Sequence, residues 1–153
     1  MKKETKRKIR IGGACLFVLY LLLLTYFLFF SETFGRSVSD GSYRYNIEPF
    51  REIRRFWVHR RTLGADAVWV NLVGNVLAFL PFGLFVPMIA PRLDMPLRVT
   101  LLSTEFSLIV ELIQLVSKVG SFDVDDIILN TLGGILGYII WIVSNRLRRK
   151  IYG

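Results

Sequence analysis

The stretch Phe122 to Gly137, which reads FDVDDIILNTLGGILG, decides the fold of this 153-residue chain. Acidic residues open it and an apolar run follows, as expected where a helix enters hydrocarbon from an aqueous surface. Asp126, Asn130 and the glycines Gly133 and Gly137 recur at helical spacing and so share one face. Because glycine permits close helix packing, this face is predicted to point into a bundle rather than at lipid.

The rest of the sequence repeats this apolar character. Hydrophobic residues make up 53% of the chain and charged residues only 21%, and the mean hydropathy is +0.47. A transmembrane helix needs about 20 mainly apolar residues, and four such runs occur, at residues 11–30, 67–90, 97–116 and 127–144. The sequence therefore predicts an all-α membrane protein, a four-helix transmembrane bundle.

Composition also excludes several classes of function. The single cysteine, Cys15, cannot form an internal disulfide, and the single histidine, His59, excludes a multi-histidine metal site within one chain. The net charge of +8, in so apolar a chain, is typical of segments at a membrane surface rather than of a nucleic-acid-binding protein. No cofactor and no nucleic-acid partner are predicted.

The runs divide the chain into five parts: a basic N-terminus (1–10), a first span (11–30), a connection (31–66), a core with three spans (67–145) and a basic tail (146–153). The first span is predicted to be an uncleaved anchor, since no small-residue cleavage site follows it. Four spans place both termini on one side of the membrane. More lysines and arginines flank that side, so the termini are predicted to be cytoplasmic, although arginines in the connection oppose this orientation.

That connection contains an amphipathic pattern. Phe50, Ile53 and Trp57 follow Pro49 at spacings of three and four, with arginines between them, which predicts a helix lying in the membrane interface. Residues 37–42 are predicted to form a turn. The arginines could bind lipid phosphates, or they could belong to a solvated basic loop without a ligand.

Placing a polar side chain in lipid costs free energy, so polar side chains inside the spans indicate contacts with protein or water. They fall at the start of the second span, the end of the third and the start of the fourth. Antiparallel connectivity brings these ends to one level, beside the connection 31–66, so we predict one polar pocket there. Its predicted binding residues are Asn71, Asn75, Glu111, Gln114, Asp123, Asp126 and Asn130.

Each of these residues also has a structural interpretation. The amides of Asn71, Asn75 and Gln114 could simply join helices by hydrogen bonds. Ser121 or Asp123 could be the N-cap of the fourth helix, and Asp125 and Asp126 could simply interact favourably with its dipole. Function is favoured for Glu111 and Asp126, because a carboxylate beside hydrocarbon must be protonated, paired or hydrated.

Pro81, in the middle of the second span, removes one backbone hydrogen bond. It is predicted to bend that helix and to leave a carbonyl near Leu77 or Ala78 available to a partner.

Three blocks of sequence resemble the VanZ-like family of bacterial membrane proteins. They are an N-x-x-x-N, F-x-P-x-G helix, an S-x-x-x-E-x-x-Q block and an F-D-x-D-D, N-x-x-G block, found here at 71–83, 107–114 and 122–133, with a short N-x-x-P-F stretch upstream at 46–50. One departure is Lys118-Val119-Gly120-Ser121, where many relatives carry an arginine. The resemblance implies a role in the bacterial cytoplasmic membrane and envelope, with lowered susceptibility to teicoplanin-type glycopeptides, but no mechanism.

The leading hypothesis from the sequence is a non-enzymatic protein whose pocket binds or shields a membrane lipid or a lipid-linked cell-wall intermediate. One alternative is an intramembrane hydrolase or transferase in which carboxylates hold a metal ion or act as acid and base on a lipid-linked substrate. Another is a packing subunit that forms a homo-oligomer or joins an envelope-protein assembly.

Overall fold

The computed structural model describes residues 3–30 and 43–152 of the chain. Its elements, in order, are α1 (Lys3–Phe30), β1 (Tyr45–Asn46), α2 (Arg51–Val58), α3 (Arg60–Leu63), α4 (Ala65–Val68), a π-helical turn (Trp69–Val73), α5 (Gly74–Ile89), a 3-10 turn (Pro91–Leu93), α6 (Pro96–Ser117), β2 (Phe122–Asp123) and α7 (Val124–Tyr152). The turn predicted at residues 37–42 lies outside the described residues.

Four helical segments of this described part are long and apolar enough to cross a membrane: Arg7–Phe29, Trp69–Ile89, Pro96–Ser117 and Val124–Ile151. This confirms the predicted all-α, four-helix membrane fold. The first and last helices are longer than the apolar runs, because their charged ends are also helical. Lysine and arginine are good helix formers, and their charged groups can remain in water.

Antiparallel order gives the bundle two distinct ends. At one end, Arg10 Nε donates to the Ile89 carbonyl at 3.1 Å, and we call this the termini end. At the other, Gln114 Nε2 donates to the Leu28 carbonyl at 3.2 Å. We call it the acid end, because the acidic start of α7 lies there.

The closest helix contact joins α7 to α5. A Cβ built on Gly137 would lie 2.0 Å from the Leu80 carbonyl oxygen, and one on Gly133 would lie 2.2 Å from that of Val76. The close packing predicted for the glycine face of α7 is therefore confirmed. Without a hydrophobic driving force inside lipid, such backbone proximity maximises the van der Waals contact that holds membrane helices together.

The α5 helix also contacts α1 through its proline-containing middle. The hydroxyl of Tyr20 donates to the Ala78 carbonyl at 2.8 Å, one residue from the carbonyl that loses its donor at Pro81. The prediction that a carbonyl near Leu77 or Ala78 accepts a hydrogen bond from a partner is confirmed.

The apolar core lies away from the acid end. Phe82, Val86, Val99 and Tyr138 form its buried centre. The Phe82 ring stacks on Phe106, with centroids 5.0 Å apart, a favourable aromatic arrangement. Polar and apolar interiors thus occupy different levels of the bundle.

The glycine face gives a direct test of the packing. Changing Gly137 to Ala places a methyl group against the Leu80 backbone, and such overpacking should lower the free energy of unfolding by about 1–3 kcal/mol. Thermal unfolding in detergent measures the effect as a lower midpoint. Gly12→Ala is the matched control, since its Cβ would meet nothing within 4 Å. Equal midpoints for Gly137→Ala and the control would contradict this packing.

Candidate functional site

The acid end is built around a short parallel bridge that joins the connection to α7. Tyr45 pairs with Phe122 and Asn46 with Asp123. In the same register the Asn46 side chain donates to Asp123 Oδ1 at 3.0 Å. The connection is therefore attached to the start of α7 by both backbone and side chain.

Asp123 is the N-cap of α7. Its Oδ1 accepts the backbone N–H of Asp125 at 2.8 Å, which satisfies one of the free N–H groups at a helix start. Burial raises the pKa of the Asp123 carboxyl above its ordinary value of 3.8, opposed by hydrogen bonds from Asp125 N–H and Asn46 and by the Arg55 charge. The capping interpretation of Asp123 is confirmed; a role for Asp123 in binding stays a prediction.

Asp125 caps a helix other than its own. Its carboxylate is 1% exposed and accepts backbone N–H groups from Phe50 at 2.5 Å, Glu52 at 2.7 Å and Ile53 at 3.0 Å. These groups open α2, where the helix dipole favours an anion. Asp125 also lies in the first turn of α7, as the dipole interpretation expects. Its contacts with α2 were not predicted, because local sequence cannot show a partner more than 70 residues away.

The contact also holds a strained backbone. Phe50 has a φ of 65°, a conformation unusual for a bulky residue. Such strain persists only where surrounding contacts over-determine it, and the short bond from Phe50 N–H to Asp125 supplies one of these contacts. Helix α2 is thus fixed in position over the bundle.

Helix α2 buries one aromatic side chain and leaves exposed two that belong to the predicted amphipathic pattern. Phe56 is buried, whereas Phe50 and Trp57 are exposed. Arg55 forms an ion pair with Glu52 at 3.0 Å. The predicted helix exists at Arg51–Val58. Its orientation is set by the Asp125 contact. Its exposed aromatic residues are accessible from outside the described part of the chain.

Glu111 extends the network into α6. It is 2% exposed, and its Oε2 accepts the backbone N–H of Asp123 at 2.9 Å. Glu111, Asp123 and Asp125 therefore form a continuous chain of contacts from α6 through the start of α7 to α2. We call these three residues the anchor chain.

Asp126 lies beside the anchor chain and pairs with the second span. Asn75 Nδ2 donates to Asp126 Oδ1 at 2.5 Å, and Asp126 is partly exposed. Glu111 and Asp126 are close enough to interact electrostatically. The structure thus brings together Asn75, Glu111, Asp123 and Asp126 from three helices.

Asn130 lies one turn deeper on α7 and is 3% exposed. Its Nδ2 donates to Ser107 Oγ at 2.9 Å, while its buried Oδ1 has no hydrogen-bond partner among the described residues. Asn71 lies in the π-helical turn, half-buried and with a partner of its own. Such turns are frequent at functional sites.

Gln114 is the predicted residue that the structure does not bring to the carboxylates. Its side-chain amide donates to the Leu28 carbonyl of α1 at 3.2 Å. It therefore joins α6 to α1, as the helix-joining interpretation allowed.

Sequence analysis missed Asp125, Asn46 and Ser107 as members of the site. A signal for all three was present, since Asn46, Ser107 and Asp125 fall in the family-like stretches, but only the fold shows that these stretches meet. Over residues 3–30 and 43–152, no group of three or more His, Cys, Asp or Glu side chains is arranged to hold a metal ion.

This fold and site define an integral membrane protein with a buried cluster of acids and amides at one end of a four-helix bundle. The VanZ/LLP1 family model matches residues 17–145, so the chain belongs to this family. Protein VanZ of Enterococcus faecium is 30% identical over 96 residues, which are 60% of this chain and 59% of that relative. The match therefore spans about three-fifths of the relative's length. No solved structure matches the chain.

The role of Asp125 can be tested by its effect on α2. Asp125→Asn replaces one of the two carboxylate oxygens that accept the three backbone N–H groups of α2 by an NH2 group, which can only donate. Losing such a cap should speed hydrogen exchange at the Phe50, Glu52 and Ile53 amides about 5- to 30-fold. Hydrogen-exchange mass spectrometry of the parent and variant measures this.

The matched control for that experiment is Asp66→Asn, an identical change at an exposed residue of α4. Unchanged exchange in Asp125→Asn would show that other contacts hold α2 in place.

Proposed function

We propose that the acid end faces the outside of the bacterial cytoplasmic membrane and binds the polar headgroup of an envelope lipid. By occupying or shielding that headgroup, the protein lowers susceptibility to teicoplanin-type lipophilic glycopeptides. Membership of the VanZ/LLP1 family, which is linked to teicoplanin resistance, supports the phenotype.

One observation carries the binding role: an arginine-bearing helix is fixed over a buried cluster of acids and amides. The Asp125 cap positions α2, and Arg54 and Arg55 remain exposed on it. Arginine suits phosphate, while carboxylates and amides suit hydroxyl and amine groups. A lipid headgroup that carries both chemistries matches this juxtaposition.

The cluster also contains groups that are not used to hold the fold. The anchor chain connects helices, but Asp126 is partly exposed and contacts only Asn75 through a side-chain hydrogen bond among the described residues. A partly exposed carboxylate beside a fixed amide is suited to bind a ligand that arrives from the aqueous interface. Asp126 is therefore the residue on which the proposal depends most.

Orientation is part of the proposal, with both termini cytoplasmic, and it can be tested by cysteine labelling. Cys15→Ala removes the native thiol, and single cysteines are introduced by Ser121→Cys at the acid end or Ser144→Cys at the termini end, both exposed positions. A membrane-impermeant maleimide should label Ser121→Cys in intact cells and Ser144→Cys only after permeabilisation. The reverse pattern would place the pocket on the cytoplasmic side.

The resistance role can be tested with Asp126→Asn, which removes the charge but keeps an oxygen to accept the Asn75 hydrogen bond. Expressed in a susceptible Gram-positive host, the parent protein should raise the inhibitory concentration of teicoplanin more than that of vancomycin. The variant should return teicoplanin susceptibility to that of cells without the protein, because the proposed ligand loses its charged partner.

The control is Glu105→Gln, the same loss of charge at an exposed residue of α6. Immunoblotting of tagged proteins establishes equal membrane levels. Full protection by Asp126→Asn at parent levels would remove the acid end from the resistance mechanism.

A further inference from the structure

The interface between α6 and α7 at the acid end holds an excess of hydrogen-bond acceptors. Glu111 and Asp126 interact electrostatically across it. Among the described residues, the ion pairs are Lys8 with Glu4, Arg51 with Glu48, and Arg55 with Glu52. Neither Glu111 nor Asp126 therefore has a cationic partner within the described part of the chain.

Among the described residues, the hydrogen bonds of these carboxylates leave one oxygen of each without a donor. Glu111 uses Oε2 to accept from Asp123 N–H, and Asp126 uses Oδ1 to accept from Asn75. Two neighbouring carboxylates at the hydrocarbon boundary, one of them buried, need a proton or a cation to be stable.

A third hydrogen-bond acceptor lies one helical turn deeper in the same interface. Ser107 is one helical turn before Glu111 on α6, and Asn130 is one turn after Asp126 on α7. Their hydrogen bond, at 2.9 Å, thus lies one turn deeper in the same interface. The Asn130 Oδ1 is buried without a partner among the described residues, which is costly for a polar atom and marks a place where a donor is expected.

We propose that Glu111, Asp126 and Asn130 together bind a primary ammonium group. An ammonium carries one positive charge and three N–H donors, which matches two carboxylate oxygens and one amide oxygen. A quaternary ammonium has no N–H and so cannot satisfy these acceptors. The partly exposed Asp126 is the point of entry.

This inference rests on the proposed function and names the chemistry of the headgroup. Two sources can supply a primary ammonium at the membrane surface: the ethanolamine headgroup of a phospholipid, or a lysine-type side chain on a lipid-linked peptide. Both present the same group to the site and differ in what is attached to it. A phosphate neighbouring the amine, as in the phospholipid, would also reach the arginines of α2.

Binding can be measured by isothermal titration calorimetry of the full chain in dodecyl maltoside micelles, with protein-free micelles as the blank. The probes are dihexanoyl phosphatidylethanolamine, dihexanoyl phosphatidylcholine and Nα-acetyl-lysine amide. We expect the ethanolamine lipid to bind and the choline lipid to bind about 10-fold more weakly or not at all, because it lacks the N–H donors. Binding of the lysine amide identifies the peptide source as well; its absence assigns the site to the phospholipid.

Two variants and a control link binding to the site. Asp126→Asn and Asn130→Ala should each weaken the ethanolamine lipid about 10-fold, whereas Glu105→Gln, at an exposed position, should bind like the parent. Far-ultraviolet circular dichroism and size-exclusion profiles establish that each variant is folded. Asp126→Asn keeps an oxygen that accepts the hydrogen bond from Asn75, so a folded variant is available even if Asn130→Ala does not fold.

Equal binding of the ethanolamine and choline lipids would overturn the ammonium assignment, as would parent-like binding by folded Asp126→Asn. These results are distinguishable from failure of the proposed function. If Asp126→Asn abolishes protection against teicoplanin while no amine binds, the site acts on another chemistry and only the ammonium inference fails.

Discussion

The carboxylate of Asp125 is the contact on which the architecture outside the hydrocarbon depends. It is buried, and it accepts three backbone N–H groups from the first turn of α2. A negative charge at that position satisfies donors that the helix cannot pair itself and complements the dipole. Asp123 continues the connection to β1 and Glu111 continues it to α6, so one chain of polar contacts couples the arginine-bearing segment to three elements of the bundle.

The carboxylates at the acid end therefore divide into two groups with different chemical freedom. Those of the anchor chain accept backbone N–H groups and hold elements together, although Glu111 does so with one oxygen, Oε2. Asp126 shares its position, but its one side-chain hydrogen bond among the described residues is with Asn75, and it remains partly exposed. An acid that lies beside a structural hydrogen-bond network, but is not itself part of it, is both well positioned and available to a ligand. The proposed headgroup site follows from this difference in contacts rather than from acidity alone.

Close packing lower in the bundle makes this arrangement possible. Glycines of α7 lie against carbonyls of α5, so the two backbones approach closely. At the level above, Asn75 Nδ2 therefore lies 2.5 Å from Asp126 Oδ1. The aromatic core around Phe82 and Phe106 fills the level nearer the termini end. The cluster of buried acids lies at the opposite end, where water or headgroups can satisfy its polar groups.

The sequence alone determined the four membrane helices, the glycine face of α7 and the carbonyl near Pro81 that finds a partner, because each depends on local composition or on helical periodicity. The family followed from the resemblance of three sequence blocks. The sequence also placed Asn75, Glu111 and Asp126 at one level, since antiparallel order follows from the number of spans. Only the tertiary structure decided which face α2 buries, that Asp125 caps α2 and that Gln114 turns to α1. It also decided that Asn130 keeps an oxygen without a partner among the described residues. These are outcomes of contacts between residues far apart in the chain, and no periodicity within one segment can specify the direction in which a side chain meets another.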